Sequence, residues 1–349
     1  MKKRWLLLLV VPLALLLWWP DSAKEPPRHQ TPAERVQKSS QKLREVKTGL
    51  EARGSFSDLK AALRQMDPKE AREWLLAALA SGEDFATGLD LTLDAGQNLS
   101  GWPSWRVFLL DLLFLTDPEA AAKVSSELLA SSASPDEWAV CMRNLGRVGK
   151  HDELLKTKSA ELLRREEWRK KPSAGYLEAF DVIVHTRNTA LAPELLANCD
   201  ARDAKAVRHA SFLTLDRLIM AEPAKVLPEL AANASKHPQS GLMLSNMIAR
   251  ADVRDKAQRQ AVETYLLDTK RTAEELRGFA SVFPNANVAV SQNLLTQAPT
   301  IQGADLAARD QSSLAVLSAW LMDDRFKNVH EPLKNIVKRL DFWHSPSSR

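Results

Sequence analysis

Two short motifs contain residue types that could serve a nucleophilic serine. Ser57 to Lys60 has the Ser-x-x-Lys spacing of penicillin-recognising serine enzymes, and Lys47 to Gly49 matches their Lys-Thr-Gly element. The order of the two motifs is reversed, however, because the Lys-Thr-Gly element precedes the serine. Ser57 is therefore interpreted as a helix cap, and the sequence predicts no catalytic residue.

Metal and nucleotide sites require clustered ligands or glycine-rich loops. The seven histidines are scattered and form no H-E-x-x-H pattern. The stretch from Gly146 to His151 lacks the spacing and the Ser or Thr of a phosphate-binding loop, and is predicted to be a helix end and turn. We therefore expect no metal ion and no cofactor.

The chain has two cysteines, Cys141 and Cys199, both in segments with helical patterning. In an exported protein they could form a disulfide. Alternatively, each is a small buried apolar residue. We favour burial, because a stack of helices would separate the two positions by a repeat or more.

Trp102-Pro103-Ser104-Trp105 is the most unusual local feature. Tryptophans on a loop beside a helix start could anchor a peptide or a sugar, since aromatic side chains often dominate binding energy. The alternative, which we favour, is that both tryptophans pack at a helical corner. Trp102 and Trp105 are nevertheless the only candidate partner-binding residues that the sequence suggests.

Helix starts recur along the chain. Thr31-Pro32-Ala33-Glu34 and Ser134-Pro135-Asp136-Glu137 place a capping hydroxyl before a proline and a glutamate at the third helical position. Thr272 to Glu275 repeats this pattern without proline, whereas Asp67-Pro68 and Asp117-Pro118 use an acid as the cap. Only 12 glycines are present, which disfavours sheet-rich and nucleotide-binding folds.

The spacing of apolar residues is also helical, and we find no convincing alternation typical of a strand. Trp105, Phe108, Leu109, Leu112 and Leu113 fall on one stripe of a helix. The predicted helices span residues 33–52, 57–66, 68–81, 84–96, 103–115, 118–131, 135–147, 151–166, 173–187, 190–198, 203–220, 223–236, 238–250, 253–269, 272–282, 287–297, 310–323 and 325–342.

Faint internal similarity accompanies these helices. Acid-proline starts at Asp67, Asp117 and Glu222 open similar Leu/Ala-rich segments. Self-similarity over 20–50 residues is typical of solenoids. From about residue 55 to 340 the chain resembles HEAT-like and tetratricopeptide-like α-helical repeat proteins of the bacterial cell envelope. The resemblance implies an all-α fold, an irregular α-solenoid of antiparallel helical hairpins, with a scaffold or binding role.

Residues 1–20 have the layout of a bacterial export signal. Lys2, Lys3 and Arg4 precede an apolar run over residues 5–19, so the remainder should cross the membrane. An uncleaved anchor is favoured over a cleaved signal, because small residues are missing from the positions that cleavage needs. Residues 21–32 are predicted to be a polar, proline-rich tether, and residues 33–345 the helical domain. We expect a cell-envelope location, either anchored in the inner membrane with a periplasmic domain or secreted to the periplasm.

The formal net charge is +4, of which the first residues carry three, so the remainder is close to neutral. Nucleic-acid binders usually show a basic face, and we expect no nucleic acid partner. The resulting hypothesis is a non-catalytic, exported or membrane-tethered scaffold that binds another protein. The alternative is a cell-envelope enzyme acting on peptidoglycan or another polysaccharide through paired carboxylates. Assays on cell-wall material discriminate between the two.

Overall fold

The computed structural model describes residues 30–46, 48–202, 204–288, 293–297 and 303–344. These residues are predominantly α-helical, which confirms the all-α prediction. The helices are α1 Pro32–Glu45, α2 Gly49–Leu63, α3 Pro68–Ala80, α4 Trp105–Thr116, α5 Pro118–Ser131, α6 Pro135–Val148, α7 Asp152–Arg164, α8 Glu166–Lys170, α9 Ala174–Glu178, α10 Asp181–His185, α11 Ala192–Asp200, α12 Lys205–Ala221, α13 Pro223–Asn233, α14 Gly241–Ile248, α15 Lys256–Leu267, α16 Ala273–Val282, α17 Gly303–Leu321 and α18 His330–His344. Short 3-10 turns lie at Thr189–Leu191, Ala234–Lys236, Pro238–Ser240 and Asp324–Val329.

The capping residues behave largely as the sequence predicts. Thr31 and Thr272 form reciprocal capping boxes with the glutamate three residues later. Ser134 accepts the N–H of Glu137, but the Glu137 carboxylate accepts a hydrogen bond from Arg106 at 2.7 Å instead of reaching back to the cap. Capping therefore fixes the starts of these helices, and at Ser134 the third helical residue instead joins α6 to α4 through Arg106.

Two predicted boundaries are wrong near the first motif. Ser57 lies inside α2 rather than at its start, and Thr48 is the N-cap, accepting the N–H of Glu51. The helix is interrupted between α1 and α2. Gly49, the first residue of α2, lies so close to the Gly88 carbonyl that a Cβ on Gly49 would be 2.8 Å from the carbonyl oxygen. The predicted helix 33–52 is therefore two helices, because α1 ends at Glu45 and α2 begins at Gly49.

The predicted helix 84–96 is also wrong, because this region is a loop followed by a short antiparallel hairpin. Strand β1 is Thr92–Leu93 and strand β2 is Leu99–Gly101. Gly88 adopts a positive φ of 72°, and the Asp94 carboxylate accepts the N–H groups of Gly96 and Asn98 at 2.8 Å each. These local bonds compete with helical ones and close the hairpin turn.

The interior is formed by the apolar stripes of the helices, and the stripe predicted on α4 is buried as expected. Helices pack mainly against others within three elements along the chain: α1 on α2, α3 on α4, α4 on α5 and α6, α11 on α12 and α13, α14 on α16, and α17 on α18. In the described part of the chain, no helix is both long and apolar enough to cross a membrane. The predicted membrane segment 5–19 and most of the predicted tether lie outside the described residues.

Candidate functional site

A short piece of chain from near the C-terminal end returns to the middle of the helical array. Residues 293–297, here called the 293–297 segment, form a bend rather than the predicted helix over 287–297. Leu294 is fully buried, Leu295 and Thr296 are half-buried, and Gln297 is exposed. The segment contacts residues more than a hundred positions earlier in the chain. It is therefore held by tertiary contacts and not by its neighbours in sequence.

Asp181 at the start of α10 makes the main contact with this segment. Its Oδ2 accepts the consecutive backbone N–H groups of Leu295 and Thr296, at 2.7 and 2.8 Å. Its Oδ1 accepts Nη1 of Arg217 on α12 at 2.7 Å and the Thr296 hydroxyl, which in turn accepts from Nη2 of Arg217. Successive N–H groups pointing at one oxygen form a concave anion-binding nest. Since both N–H groups are taken by Asp181, they are unavailable to a helix.

The other side of the segment is held by the tip of the β1–β2 hairpin. The Gln97 side-chain amide donates to the carbonyl oxygens of Asn293 at 3.0 Å and Thr296 at 2.7 Å. Nη2 of Arg147, at the end of α6, donates to the Gln97 carbonyl at 2.6 Å. Gln97, Arg147, Asp181 and Arg217 together are called the Asp181 cradle below.

Gly146 on α6 makes room for the apolar side chain of the segment. A Cβ at this position would lie 2.7 Å from Cδ1 of Leu295 and 3.4 Å from Nε2 of His185. Real Cβ atoms do not approach other heavy atoms that closely, so only glycine lets Leu295 sit as it does. The cradle thus combines polar contacts to the backbone with one fitted apolar side chain.

A cavity adjoins the 293–297 segment at each end. A cavity of about 310 Å³ adjoins Asn293 and is lined by Glu178, Asp181, His209 and Arg217, among others. A second cavity of about 290 Å³ adjoins Thr296 and Gln297 and is lined by His185, Arg187 and Arg217. The surface formed by these two cavities and the segment between them is called the groove below.

Glu178 has an unusual protonation equilibrium in the first cavity. Burial raises the pKa of Glu178 to about 7, the Asp181 charge acts in the same direction, and Arg217 opposes both. Glu178 consequently changes charge near neutral pH.

The two tryptophans suggested by the sequence lie away from this groove and are buried. Trp102 is 6% exposed and Trp105 is 2% exposed. The Trp102 ring contacts Phe56 and Phe108 edge-on, and Trp105 stacks on Phe85. These positions favour packing over partner binding. Their burial also explains why an aromatic-rich loop alone is weak evidence for a binding site.

Both cysteines are free and buried, as the favoured alternative predicts. Burial raises the pKa of each thiol to about 12, so the nucleophilic thiolate is scarce at neutral pH. Among the described residues, no three or more His, Cys, Asp or Glu side chains are grouped in a way that could hold a metal ion.

The sequence carried one signal for the cradle that motif searching misses. Asp181 and the Asp216-Arg217 pair interrupt apolar stretches, A-F-D-V-I-V and T-L-D-R-L-I, at positions that face the interior. Charged side chains are almost never buried without a partner. An acid and a base buried in two apolar helices near each other in the chain therefore indicate an ion pair, although not the segment that joins it.

Comparison of the chain with protein-family models, with curated proteins and with solved structures finds no match. What this chain does must therefore be inferred from its own geometry.

Proposed function

We propose that this protein is a non-catalytic, membrane-tethered helical-repeat scaffold whose groove binds another protein in the bacterial cell envelope. The proposal combines three expectations: an irregular α-solenoid, an N-terminal membrane segment, and a binding role for the groove. Each has its own support, and the binding role and the membrane segment each have their own test.

The solenoid part is supported by local helix packing and by a recurring buried ion pair. Asp111 pairs with Arg143, Asp181 with Arg217, and Asp216 with Arg250, at sequence separations of 32, 36 and 34 residues. In a solenoid each repeat contacts its neighbours, so equivalent inter-repeat contacts recur at about the repeat length. These similar separations favour a repeat of about that size.

The binding role rests on one observation, which is that the Asp181 cradle already holds a stretch of polypeptide. Concave surfaces of helical repeats typically bind extended partners. Here the side chains of Gln97 and Asp181 bond the backbone of the 293–297 segment. Arg217 on α12 donates to Asp181 and to the Thr296 hydroxyl, and Arg147 on α6 donates to the Gln97 carbonyl. An arrangement that binds one peptide backbone has the donors and acceptors to bind another.

A photo-crosslinking experiment tests the scaffold. Benzoylphenylalanine replaces Arg187, which borders the groove, or Arg164 on α7 as a control; their side chains are 68% and 67% exposed. The full chain is irradiated in its native membranes and purified after solubilisation. We expect a discrete adduct from position 187 and none from position 164. Adducts from neither position, or equal adducts from both, would contradict a partner at the groove.

The location is supported by the charged and apolar residues of the N-terminus, Lys2 to Trp19. Washing membranes with sodium carbonate removes peripheral proteins but retains anchored ones. We expect the full chain to stay in the pellet, and a variant lacking residues 1–20 to stay in the cytoplasm. Release of the full chain by carbonate would instead support a cleaved signal.

The alternative, an enzyme acting on peptidoglycan or another polysaccharide, is favoured by Glu178 alone. An acid with a pKa of about 7 beside a second carboxylate is the kind of group that protonates a leaving oxygen. Asp181, however, has its oxygens taken up by Arg217 and the 293–297 segment. Zymography on purified cell walls decides the matter, because clearing that Glu178→Gln abolishes would overturn the scaffold proposal.

A further inference from the structure

We infer that the 293–297 segment is an internal ligand that competes with an external peptide for the Asp181 cradle. The external ligand is a bent, non-helical peptide segment with a leucine followed by a threonine or serine and then by acidic residues. This inference rests on the proposed scaffold function and specifies what its groove recognises.

The class of ligand follows from which atoms the cradle contacts. Asp181 accepts two backbone N–H groups, and the Gln97 amide donates to two backbone carbonyls, so most contacts read the main chain. Only two side chains are selected. The Thr296 hydroxyl donates to Asp181 and accepts from Arg217, and Leu295 occupies the space that Gly146 leaves. A serine hydroxyl could make the same two hydrogen bonds.

The preference for acidic residues comes from the cavity that follows Thr296. Its lining includes His185, Arg187 and Arg217, whereas the residues that the 293–297 segment contributes to it are all uncharged. Arg187 pairs with Glu222 at the surface, at 3.2 Å, with its own side chain largely exposed. Glu222 also accepts Lys225 at 2.8 Å, so two cations share this one carboxylate. A carboxylate one or two residues after the threonine would therefore meet net positive charge.

The backbone of Gln97 supports a recognition role for the hairpin tip. Gln97 has a φ of +63°, in the left-handed region that non-glycine residues adopt at an energetic cost. Strained residues of this kind persist where the surrounding structure over-determines them, and they cluster at ligand clamps. Here Arg147 holds the Gln97 carbonyl, and the side-chain amide points to the segment.

An external peptide must displace the internal segment before it can bind the cradle. A tethered segment acts at an effective concentration that commonly reaches the millimolar range. An external peptide binds only the fraction of molecules whose cradle is vacated, and its apparent affinity falls by that fraction. Weakening the segment should therefore tighten the binding of an added peptide, whereas a purely structural segment would leave that binding unchanged or absent.

The test uses the full chain in detergent and a fluorescein-labelled peptide of residues 291–299, Ser-Gln-Asn-Leu-Leu-Thr-Gln-Ala-Pro. The weakened variant is Leu295→Asp with Thr296→Ala, which repels Asp181 and removes the hydroxyl. Its matched control is Gln297→Ala, an exposed position of the same segment. We expect the peptide to bind the weakened variant at least tenfold more tightly than the wild type or the control. Adding Asp181→Asn should reverse the gain.

A peptide series then tests the acidic preference on the same variant. Replacing Gln-Ala of the peptide by Glu-Glu should tighten binding at least threefold, and replacing it by Lys-Lys should weaken it. Equal binding of the three peptides would overturn the acidic preference.

A second measurement needs no substituted protein and covers the case in which the variant does not fold. In the wild type, saturating Glu-Glu peptide should increase hydrogen–deuterium exchange at the amides of Leu295 and Thr296, because the segment is displaced. No change at these amides, or no peptide bound by either protein, would overturn the internal-ligand inference. The scaffold proposal would survive that result if the adduct at position 187 remained. If the labelled peptide binds but position 187 gives no photo-crosslinked adduct, the scaffold proposal is the one that is rejected.

Discussion

Two buried aspartate–arginine pairs in this protein differ in what completes them. Asp111 on α4 accepts Nη1 of Arg143 at 2.8 Å, and its other oxygen accepts Nε1 of Trp102 at 2.9 Å, only 9 residues away in sequence. Asp181 accepts Nη1 of Arg217 at 2.7 Å, but its other oxygen accepts the backbone of Leu295 and Thr296, with a separation of 114 residues for Leu295.

This difference separates a structural pair from an interaction surface. Around Asp111 a neighbouring indole fills the remaining hydrogen-bonding capacity and is itself packed among aromatic rings. Around Asp181 the capacity is filled by main-chain groups, which any polypeptide carries. Cavities of about 310 and 290 Å³ flank this second pair. Mutation of the Asp111 pair should therefore change stability alone. Mutation of the Asp181 pair should change both stability and peptide binding.

The largest expected effect comes from removing the arginine of each pair. Arg143→Met removes the cation that compensates the buried Asp111 charge and leaves the neutral Trp102 N–H as its donor, so it should lower the free energy of unfolding by about 3–5 kcal/mol. Arg217→Met should cost less, about 1–3 kcal/mol, because Asp181 keeps the N–H groups of Leu295 and Thr296. Urea denaturation measures both.

The control for these variants is Arg164→Met, at a largely exposed ion pair with Glu194. It should change stability by less than about 1 kcal/mol. Equal losses for Arg143→Met and Arg217→Met would remove the distinction between the two pairs.

The second effect isolates the local donor of the structural pair. Trp102→Phe keeps an aromatic ring in the cluster but removes the N–H that Asp111 accepts, and should cost about 2–3 kcal/mol. The exposed Trp343 provides the control, Trp343→Phe, which should cost well under 1 kcal/mol. Neither substitution should change binding of the 291–299 peptide. Weaker peptide binding by Trp102→Phe would revive the partner-binding interpretation of this loop.

Helix positions were predictable where a local rule is sufficient. Thr31, Ser134 and Asp117 cap helices because their side chains reach backbone N–H groups two or three residues on, whatever the rest of the fold does. The prediction failed at 84–96, where Gly88 and the turn at Asp94 override an apolar pattern that is compatible with a helix. Turn chemistry, rather than hydrophobic spacing, decided that region.

The cradle was not predictable for a different reason. Its four side chains lie on four separate elements, and the segment they hold follows Gln97 by almost two hundred residues. No spacing rule connects positions so far apart. Trp102 attracted attention because tryptophan is rare and large, whereas Gln97 and Asp181 are ordinary residues that acquire a role only through the packing of α6, α10 and α12.

The third effect concerns pH and should be confined to the groove. The folded-state pKa of Glu178, about 7, is above its ordinary value of 4.5, so the folded protein holds this proton more tightly than the unfolded chain does. The resulting stabilisation is fully present below about pH 4.5 and is lost as the pH rises through 7. Glu178→Gln mimics the protonated form and should remove this dependence.

We therefore expect Glu178→Gln to be more stable than the wild type at pH 8 by about 1–2 kcal/mol, a figure reduced for partial exposure, and to match it at pH 4. Thermal unfolding across this pH range measures the difference. The same substitution at the exposed acid Glu127 is the control for removing a carboxylate charge. If the stability difference between Glu178→Gln and the wild type is the same at every pH, burial does not raise the pKa of Glu178.

The smallest effect tests the fit of Leu295 without touching the buried charges. Gly146→Ala should stabilise α6 slightly, by up to about 1 kcal/mol, but its Cβ would displace Leu295, whose Cδ1 lies 2.7 Å away. Amide exchange at Leu295 and Thr296 should accelerate several-fold. Gly54→Ala on α2 is a matched control, because a Cβ there meets nothing within 4 Å. It should give the same helix stabilisation and leave exchange at the 293–297 segment unchanged. Unaltered exchange in Gly146→Ala would show that the Asp181 hydrogen bonds hold the segment without the fitted leucine, and the ligand's leucine requirement would then be lost.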